Sequence, residues 1–371
     1  TLASDGTATA KLTNRQNRNL IINGAMNVAQ RGGAASTTNG YGSVDRFKIG
    51  SSGTDELPSH QQVDVTSSDT GPWEEGFGFQ LKVTNGNQSS GAGAGDDIKI
   101  ETALEAMDMG NCGWDYTDSN SYITLSFWVK SSVAQNFYGY LQTIDGSGQR
   151  YPFETGSLSA NTWAKITKTI PGHANLTFNN NWDKGLGIVI SPFLGTDSTA
   201  SGVTLNAWGA WDSAARTPDY TSTWYTTNDA TFHLTGVQLE LGATATEFEH
   251  RPYSYEEARC QRYHYVLVDG NTQSFGIGTY SGTSTVYCHV PFPVTMRATP
   301  TLTVNNDGTN YWYTWYSNDS SNAEKGDNFV INGAHTRGAI IKDPSASGTN
   351  GTGAYGRTSS SSAKISFSAE L

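Results

Sequence analysis

One stretch, from Leu234 to Tyr265, changes its hydrophobic period three times and thereby limits what the whole chain can fold into. Up to Leu234 the apolar residues fall on one parity, and from Val237 onwards they fall on the other. Side chains of a strand alternate between its two faces, so a change of parity requires a bulge or a kink. We therefore predict a strand over 230–241 that is interrupted at Gly236.

A short helix is predicted directly after this strand. Pro252 disfavours helix for the residue before it, so the chain is expected to run extended up to that point. Ser254 and Glu257 then have the spacing of a capping box, in which each side chain satisfies a backbone N–H of the first turn. The pattern predicts a helix over about 254–264, with β-type segments on both sides of it.

The rest of the chain has the composition of a β protein. Among 371 residues there are 41 Gly and 11% aromatic residues, which favours short strands joined by turns over helical bundles or parallel α/β folds. The clearest strand is Tyr122–Val129, in which Ile, Leu, Phe and Val occupy every second position. About eight to ten strands before residue 252 are enough for a two-layer antiparallel sandwich.

These observations divide the chain into four parts. Residues 1–18 lack apolar periodicity and are predicted to form an extended N-terminal arm. Residues 19–252 are predicted to form a β-sandwich, 253–264 a junction helix, and 265–371 a second, smaller β-sandwich. The fold class is therefore all-β, with antiparallel sheets.

Charge and cysteine content exclude several partners. The net charge of −11 works against binding to a phosphate backbone, so nucleic acid is not expected as a partner. No apolar run approaches the roughly 20 residues that cross a bilayer, and the polar start of the chain does not resemble a signal peptide. Cys112, Cys260 and Cys288 are widely spaced, which favours reduced thiols in a protein assembled in a reducing cytoplasm.

Catalytic and metal-binding patterns are absent from the sequence. Neither a G-x-S-x-G nor an H-E-x-x-H motif occurs, and neighbouring carboxylates such as Glu74 and Glu75 point to opposite faces of a strand. The letters G-x-G-x-x-G at 351–356 lack the preceding strand and following helix of a dinucleotide site, so a plain loop is predicted. No enzyme activity, cofactor or metal ligand is predicted, although a structural calcium in the first domain stays open.

Two groups of motifs lie at the ends of the first predicted domain. Near its start the chain reads NLIING at 19–24, QRG at 30–32 and DRF at 45–47. At its end the chain reads VQLELGATATEFEHRP at 237–252, followed by CQRYHY at 260–265. As a set, these motifs resemble the main domain of many bacteriophage tail-fibre and receptor-binding proteins. The residues matching the second group are Gln238, Leu239, Glu240, Gly242, Ala245, Thr246, Phe248, Glu249, Arg251, Pro252, Cys260, Gln261, Arg262 and Tyr263.

The resemblance implies a fold and a setting. Such domains look like jelly rolls of the carbohydrate-binding-module type, so the first domain is expected to be jelly-roll-like and the second to be the distal tip. It further implies a homo-oligomer, with a trimer favoured, in the tail of a virion assembled in the bacterial cytoplasm. The implied function is adhesion to host surface polysaccharide without catalysis, together with other tail proteins. A head-attached fibre or decoration protein and a fibre-borne polysaccharide depolymerase are the alternatives.

Two aromatic clusters are candidates for glycan contact. One comprises Trp208, Trp211, Trp224 and Tyr225, and the other reads YWYTWY at 311–316. Aromatic faces stack on sugar rings, but core packing and subunit interfaces use the same residue types. The distal unit carries the more individual sequence, so the site is predicted there, with loops at 305–310, 318–322 and 345–360 around it. The candidate residues are Tyr311, Trp312, Tyr313, Trp315, Tyr316 and Asn318.

Overall fold

The structure is a computed structural model that describes residues 17–306, 308, 312–317, 323–326 and 328–371. The predicted N-terminal arm falls almost wholly outside these residues. The chain divides into two compact units, Thr1–Pro252 and Tyr253–Leu371, called unit 1 and unit 2 below.

Unit 1 is a two-layer, jelly-roll-like β-sandwich of antiparallel sheets, as the sequence predicts. Its strands are β1 Lys48–Ser52, β2 Ser59–Asp64, β3 Phe79–Thr84, β4 Asp97–Glu105, β5 Tyr122–Ser131, β6 Asn136–Thr143, β7 Gln149–Ser157, β8 Ala164–Pro171, β9 Lys184–Leu194, β10 Gly209–Ala210 and β11 Thr231–Leu241. Two short helices, α1 Ala106–Asn111 and α2 Thr223–Thr226, interrupt them. One sheet has the order β1-β4-β9-β6-β7-β10 and the other has the order β2-β3-β11-β5-β8.

The core of unit 1 follows from strand alternation. In β5 the side chains of Ile123, Leu125, Phe127 and Val129 are fully buried between the sheets. Burying an apolar side chain of this size contributes about 1.5–3 kcal/mol, so one inward-facing row fixes which face of the strand points inward. The two-faced strand predicted from the sequence is confirmed.

The bulge predicted at Gly236 is also confirmed. The register of β11 against β5 shifts between Thr235 and Gln238, where two residues are left unpaired. Gly236 has a φ of +63°, and a Cβ there would lie 2.7 Å from the ring of Phe77. Only glycine fits both the backbone angle and the close approach.

The motif residues from the two ends of unit 1 meet at one place. Asn19 is buried and bridges to β11: its Nδ2 donates to the Val237 carbonyl at 3.1 Å, and its Oδ1 accepts from the Leu239 N–H at 3.1 Å. Glu249 accepts from the Asn19 N–H at 2.7 Å and from Arg251 Nη2 at 3.0 Å. These motif residues therefore satisfy buried polar groups that join the two ends of the unit, a structural role.

A second cluster of hydrogen bonds formed by the same motifs surrounds Glu240. This buried carboxylate accepts from the Gln238 side chain at 2.9 Å and from the backbone and side chain of Thr246 at 2.8 and 2.6 Å. Arg18 lies 3.4 Å from it. A buried carboxylate is tolerated only when its lone pairs are satisfied, and Gln238, Thr246 and Arg18 satisfy them here.

Unit 2 begins with a helix and continues as a smaller β-sandwich. Its elements are α3 Tyr253–Gln261, β12 His264–Asp269, β13 Ser274–Tyr280, β14 Val286–Pro291, β15 Thr301–Asn305, β16 Tyr313–Ser317, β17 Ala323–Gly326, β18 Val330–His335, β19 Gly338–Asp343, β20 Gly353–Thr358 and β21 Lys364–Ser368. A three-stranded sheet has the order β12-β21-β15, and a seven-stranded sheet has the order β17-β16-β20-β13-β14-β19-β18. Both are antiparallel, and their facing side chains form one core.

The capping box predicted for α3 does not form. The helix starts at Tyr253, directly after Pro252, so Ser254 lies inside the first turn rather than in front of it. The side chains of Ser254 and Glu257 make no hydrogen bond with any described residue. Proline itself positions the start here, since its fixed φ suits the entry to a helix and it has no N–H to satisfy.

Several strands have no strong signal in the sequence. The segment 345–360, predicted as a loop, contains β20, whose sequence GAYGRT has two glycines and only one β-branched residue. This strand pairs with β13 on one side and β16 on the other. Its structure is therefore imposed by neighbours far away in sequence rather than by its own propensity.

Candidate functional site

The YWYTWY segment supplies β16, and its alternation separates the aromatic residues. Tyr313 and Trp315 point into the core of unit 2 and are fully buried. The Tyr313 hydroxyl donates to the Asn305 carbonyl at 2.6 Å, and the indole N–H of Trp315 donates to Asp343 at 3.0 Å. These two candidate residues are core residues, because a two-layer sandwich buries one face of each strand.

The remaining candidates have different positions. Trp312 is half-buried and packs against the edge of the same core. Tyr316 lies on the opposite face of β16 from Trp315 and is only partly buried. Tyr311 and Asn318 lie outside the described residues. Of the predicted aromatic set, Tyr316 is therefore the residue that the structure places on the outer face of the seven-stranded sheet.

Sequence reasoning missed the residues that extend this face. Tyr355 on β20 lies opposite Tyr316, and Ile277 on β13 lies opposite Tyr355. Tyr355 is 47% exposed and Ile277 is 78% exposed. We call these three side chains the outer row. The sequence contains no clear strand signal around Tyr355, because this residue lies in a glycine-rich segment without the pattern of a strand.

The two tyrosines of the outer row support each other. Their rings are nearly parallel, with an interplanar angle of 14° and centroids 5.0 Å apart. Arg357 completes the group, since its Nη2 donates to the Tyr316 hydroxyl at 2.9 Å and its guanidinium carbon lies 4.9 Å from the ring centroid. Stacking and cation–π contacts of this kind hold side chains in place before any ligand arrives.

The same outer face continues onto the neighbouring strands. Ile340 on β19 and Val330 on β18 are exposed there, 39% and 44% respectively. His289 pairs with Ile340 across the sheet, and Lys342 pairs with Val330. The face therefore combines apolar side chains with hydrogen-bond donors, which suits a ligand having both C–H edges and hydroxyl or carboxylate groups.

The other aromatic cluster, in unit 1, is mostly internal. Trp224 and Tyr225 are fully buried, with Tyr225 stacked on Phe193 at 4.3 Å. Trp211 packs over Tyr140 at 5.9 Å. Trp208 is partly buried and lines a cavity. Three of the four side chains therefore have a packing role.

The described part of the chain shows neither a metal-binding cluster nor a membrane-spanning helix. Within the described ranges no group of three or more His, Cys, Asp and Glu side chains is placed to hold a metal ion. No helix in the described part of the chain is long and apolar enough to span a bilayer.

In comparisons with known proteins, the matches are to solved structures. No protein-family profile and no curated protein matches the sequence. Among solved structures, the chain is similar to the enzymatically active domain of bacteriophage CBA120 tailspike protein 4, with a TM-score of 0.31, 10% identity and coverage of 61% of this chain and 22% of that one. It is also similar to a family 11 carbohydrate-binding module from Clostridium thermocellum, with a TM-score of 0.25, 13% identity and coverage of 60% and 99%.

A third match covers a larger share of the chain. The N-terminal CBM22-1-CBM22-2 tandem domain of Paenibacillus barcinonensis Xyn10C has a TM-score of 0.26 and 10% identity, and the match covers 86% of this chain and 91% of that one. These structural neighbours include carbohydrate-binding modules and a phage tailspike domain. Their TM-scores and identities are too low to carry an argument about function.

Proposed function

We propose that this chain is a component of a bacteriophage tail fibre and that it binds host surface polysaccharide through the outer face of the seven-stranded sheet in unit 2. The observation that supports this most directly is the outer row of Tyr316, Tyr355 and Ile277 on one sheet face, where Tyr355 and Ile277 are exposed. The fibre setting is supported by the motif residues of unit 1. The proposal includes a homo-oligomer, with a trimer favoured, located in the virion.

The charge of this face favours an acidic polysaccharide. Arg357 and Lys325 both lie on the outer face, because each pairs with Thr314 across the sheet. Lys342 and His289 lie on the same face of the neighbouring strands. Among described residues, no Asp or Glu occupies an outward-facing position of the seven strands. A patch of positive charge attracts anionic ligands.

The two units differ sharply in net charge. Residues 253–371 contain 8 Lys and Arg against 9 Asp and Glu, so −10 of the net −11 belongs to residues 1–252. Unit 2 is therefore nearly neutral, so its net charge hardly opposes the approach of an acidic polysaccharide. Each sugar contact is weak, at about 1 kcal/mol of stacking, so firm attachment requires several copies on an oligomer.

The test uses two immobilised probes, alginate as an acidic polysaccharide and dextran as a neutral one. The full-length oligomer is expected to bind alginate more tightly than dextran, and the difference is expected to shrink as salt is raised. The double substitution Tyr355→Ala, Ile277→Ser is expected to weaken binding at least about 5-fold, as loss of ~1 kcal/mol implies.

A matched control removes an exposed tyrosine elsewhere. Tyr253 lies on α3 and is 54% exposed, so Tyr253→Ala takes away similar surface without touching the sheet. This variant is expected to bind as the unsubstituted chain does. If the double variant folds, keeps its oligomeric state and still binds alginate normally, the outer face is not the site.

Adhesion without turnover is part of the proposal. No arrangement of nucleophile, base or paired carboxylates among the described residues of unit 2 suggests a hydrolytic centre. Incubation of the protein with alginate, or with capsule from a bacterial host, is expected to release no new reducing ends. Time-dependent release would favour the depolymerase alternative instead.

A further inference from the structure

Unit 1 contains a cavity that is separate from the proposed polysaccharide face. Its volume is about 340 Å³, and it lies at the sheet edge formed by β7 and β10, beneath the segment 200–208. Volumes of roughly 300 Å³ and above are typical of small-molecule sites. The lining residues that matter here are Arg150, Pro152, Trp208 and Gly209.

The aromatic wall of this cavity is held in place. The indole N–H of Trp208 donates to the Pro171 carbonyl at 2.7 Å, and its ring packs against Tyr151 with centroids 5.3 Å apart. The backbone N–H of Asn206 donates to the Pro152 carbonyl at 2.8 Å, which pins the covering segment to β7. A wall fixed in this way costs a ligand little ordering entropy.

Arg150 gives the cavity its chemistry. Its Nη1 donates to the Ala210 carbonyl, whereas its Nε is buried and has no hydrogen-bond partner among the described residues. It forms no ion pair with any of them, although Asp and Glu strongly outnumber Lys and Arg in this unit. An arginine that lines a cavity and has no acidic partner is available to pair with the carboxylate of a ligand.

We propose that this cavity binds one carboxylate-bearing sugar unit of the uronic acid type. The carboxylate pairs with the Arg150 guanidinium, and the apolar edge of the ring packs against Trp208. The segment 200–204 lines another wall of the cavity and lies beside the hydroxyl groups. This site does not depend on the proposed function of unit 2, because it belongs to a different unit and to different residues.

Gly209 provides a way to close the cavity without removing a polar group. A Cβ at this position meets no atom within 4 Å, and the backbone angle is not in the left-handed region. A leucine here therefore enters the open space rather than a packed neighbour. Gly209→Leu is expected to fold and to exclude a sugar ring.

The experiment is isothermal titration of the full chain with glucuronate, glucose and acetate. Glucuronate is expected to bind with a Kd of about 1–10 mM, as one small ring with one charged contact allows. Glucose is expected to bind at least ~10-fold more weakly, because a hydrogen bond to a charged group is lost. Acetate is expected to bind more weakly than glucuronate, since it has no ring.

Three variants locate the site. Arg150→Gln is expected to remove the preference for glucuronate over glucose, and Gly209→Leu is expected to remove binding of both. Lys48→Gln is the control, because it deletes one positive charge from β1 at the opposite edge of the same sheet. The Tyr355→Ala, Ile277→Ser variant of unit 2 is expected to keep glucuronate binding.

Several results would overturn the proposal. One is that glucuronate binds the unsubstituted chain no more tightly than glucose or acetate does. This comparison does not depend on the folding of any variant. Another is unchanged glucuronate binding in a folded Gly209→Leu variant. Loss of binding only in the unit 2 variant would show that the sugar occupies the outer face of that unit.

Discussion

The two units treat the outer faces of their sheets in opposite ways. In unit 1, the outer face of the six-stranded sheet is covered by its own chain: Tyr140 and Val189 are buried there beneath Trp211 and Tyr220 from the segment 195–222. In unit 2, the outer face of the seven-stranded sheet leaves Ile277 more than three-quarters exposed. On these outer faces, aromatic residues therefore serve as packing in unit 1 and as surface in unit 2.

The second outer face of unit 1 is covered as well. The segment 65–77 lies across the five-stranded sheet, where Asp69 accepts from Lys130 at 2.7 Å and from the Trp163 indole at 2.8 Å. Burial by itself raises the pKa of Asp69, but these hydrogen bonds and one from the Thr66 backbone outweigh it and lower the pKa to about 2. Polar pairs thus seal the sheet where apolar contacts are few.

The comparison shows that an aromatic-rich sequence does not by itself mark a binding surface. What matters is whether another segment of the chain reaches the same face. Unit 1 has long connections that do so, whereas the large sheet of unit 2 leaves several outward-facing side chains, such as Ile277 and Tyr355, at the surface. Recognition of the polysaccharide is therefore expected on unit 2, with unit 1 contributing the closed scaffold and the cavity at the edge of its six-stranded sheet.

The largest effect is expected from Trp315, which distinguishes the two faces of β16. Trp315→Ala should lower the free energy of unfolding of unit 2 by about 3–5 kcal/mol, because it leaves a cavity and removes a donor from buried Asp343. Tyr355→Ala on the outer face should change it by no more than about 1 kcal/mol. Urea titration of both variants checks this, and equal effects would contradict the assignment of faces.

A smaller effect is expected from the cover of unit 1. The Tyr220 hydroxyl donates to the Tyr138 carbonyl at 2.9 Å, and the ring packs against Phe193. Tyr220→Ala should cost about 2–3 kcal/mol and expose Tyr140. Tyr220→Phe keeps the packing and serves as the control, with an expected cost of about 1 kcal/mol. If Tyr220→Ala leaves the urea midpoint unchanged, the segment 195–222 does not seal this face.

The pH dependence of unit 1 should report on His233, which lies on β11 between Lys82 and Lys130 of the adjacent strands. Burial, followed by the positive charges of Lys130 and Lys82, lowers the pKa of His233 to about 3. The unfolded chain therefore takes up this proton at a higher pH than the folded chain does. The contribution of neutral His233 to the free energy of unfolding is complete above the ordinary histidine pKa of 6.5. This contribution is lost as the pH falls towards 3.

The measurement is the free energy of unfolding of unit 1 between pH 7 and pH 4. The unsubstituted chain should lose about 1–3 kcal/mol over this range from His233 alone. His233→Gln keeps a hydrogen-bonding side chain next to Gln80 and should flatten this part of the profile. A variant profile as steep as the original would assign the pH dependence to other groups.

The smallest effect is expected at the start of unit 2. Because Ser254 is exposed and makes no capping hydrogen bond with a described residue, Ser254→Ala should change the free energy of unfolding by less than about 0.5 kcal/mol. A true N-cap serine would cost about 1 kcal/mol on the same substitution. Thermal unfolding distinguishes the two values, and a loss near the larger one would restore the capping box.

The sequence determined those features that depend on neighbouring residues. The alternation of β5 specified its buried face, and the parity change predicted the bulge at Gly236, because both follow from the two-residue period of a strand. The all-β class followed from composition and from many short alternating runs. The motifs at the two ends of unit 1 were singled out as a set, but their letters did not reveal that Asn19 and Glu249 would meet as hydrogen-bonded partners.

Tertiary structure decided everything that depends on which segments lie side by side. The alternation of β16 separated Trp315 from Tyr316, but it could not say which of the two would be inward. Only the second sheet, with its apolar side chains on one side of β16, settled that choice, because burying the larger apolar surface is favourable. The position of Tyr355 in the outer row also depends on tertiary structure. Its strand, β20, forms only because β13 and β16 supply the hydrogen-bonding partners.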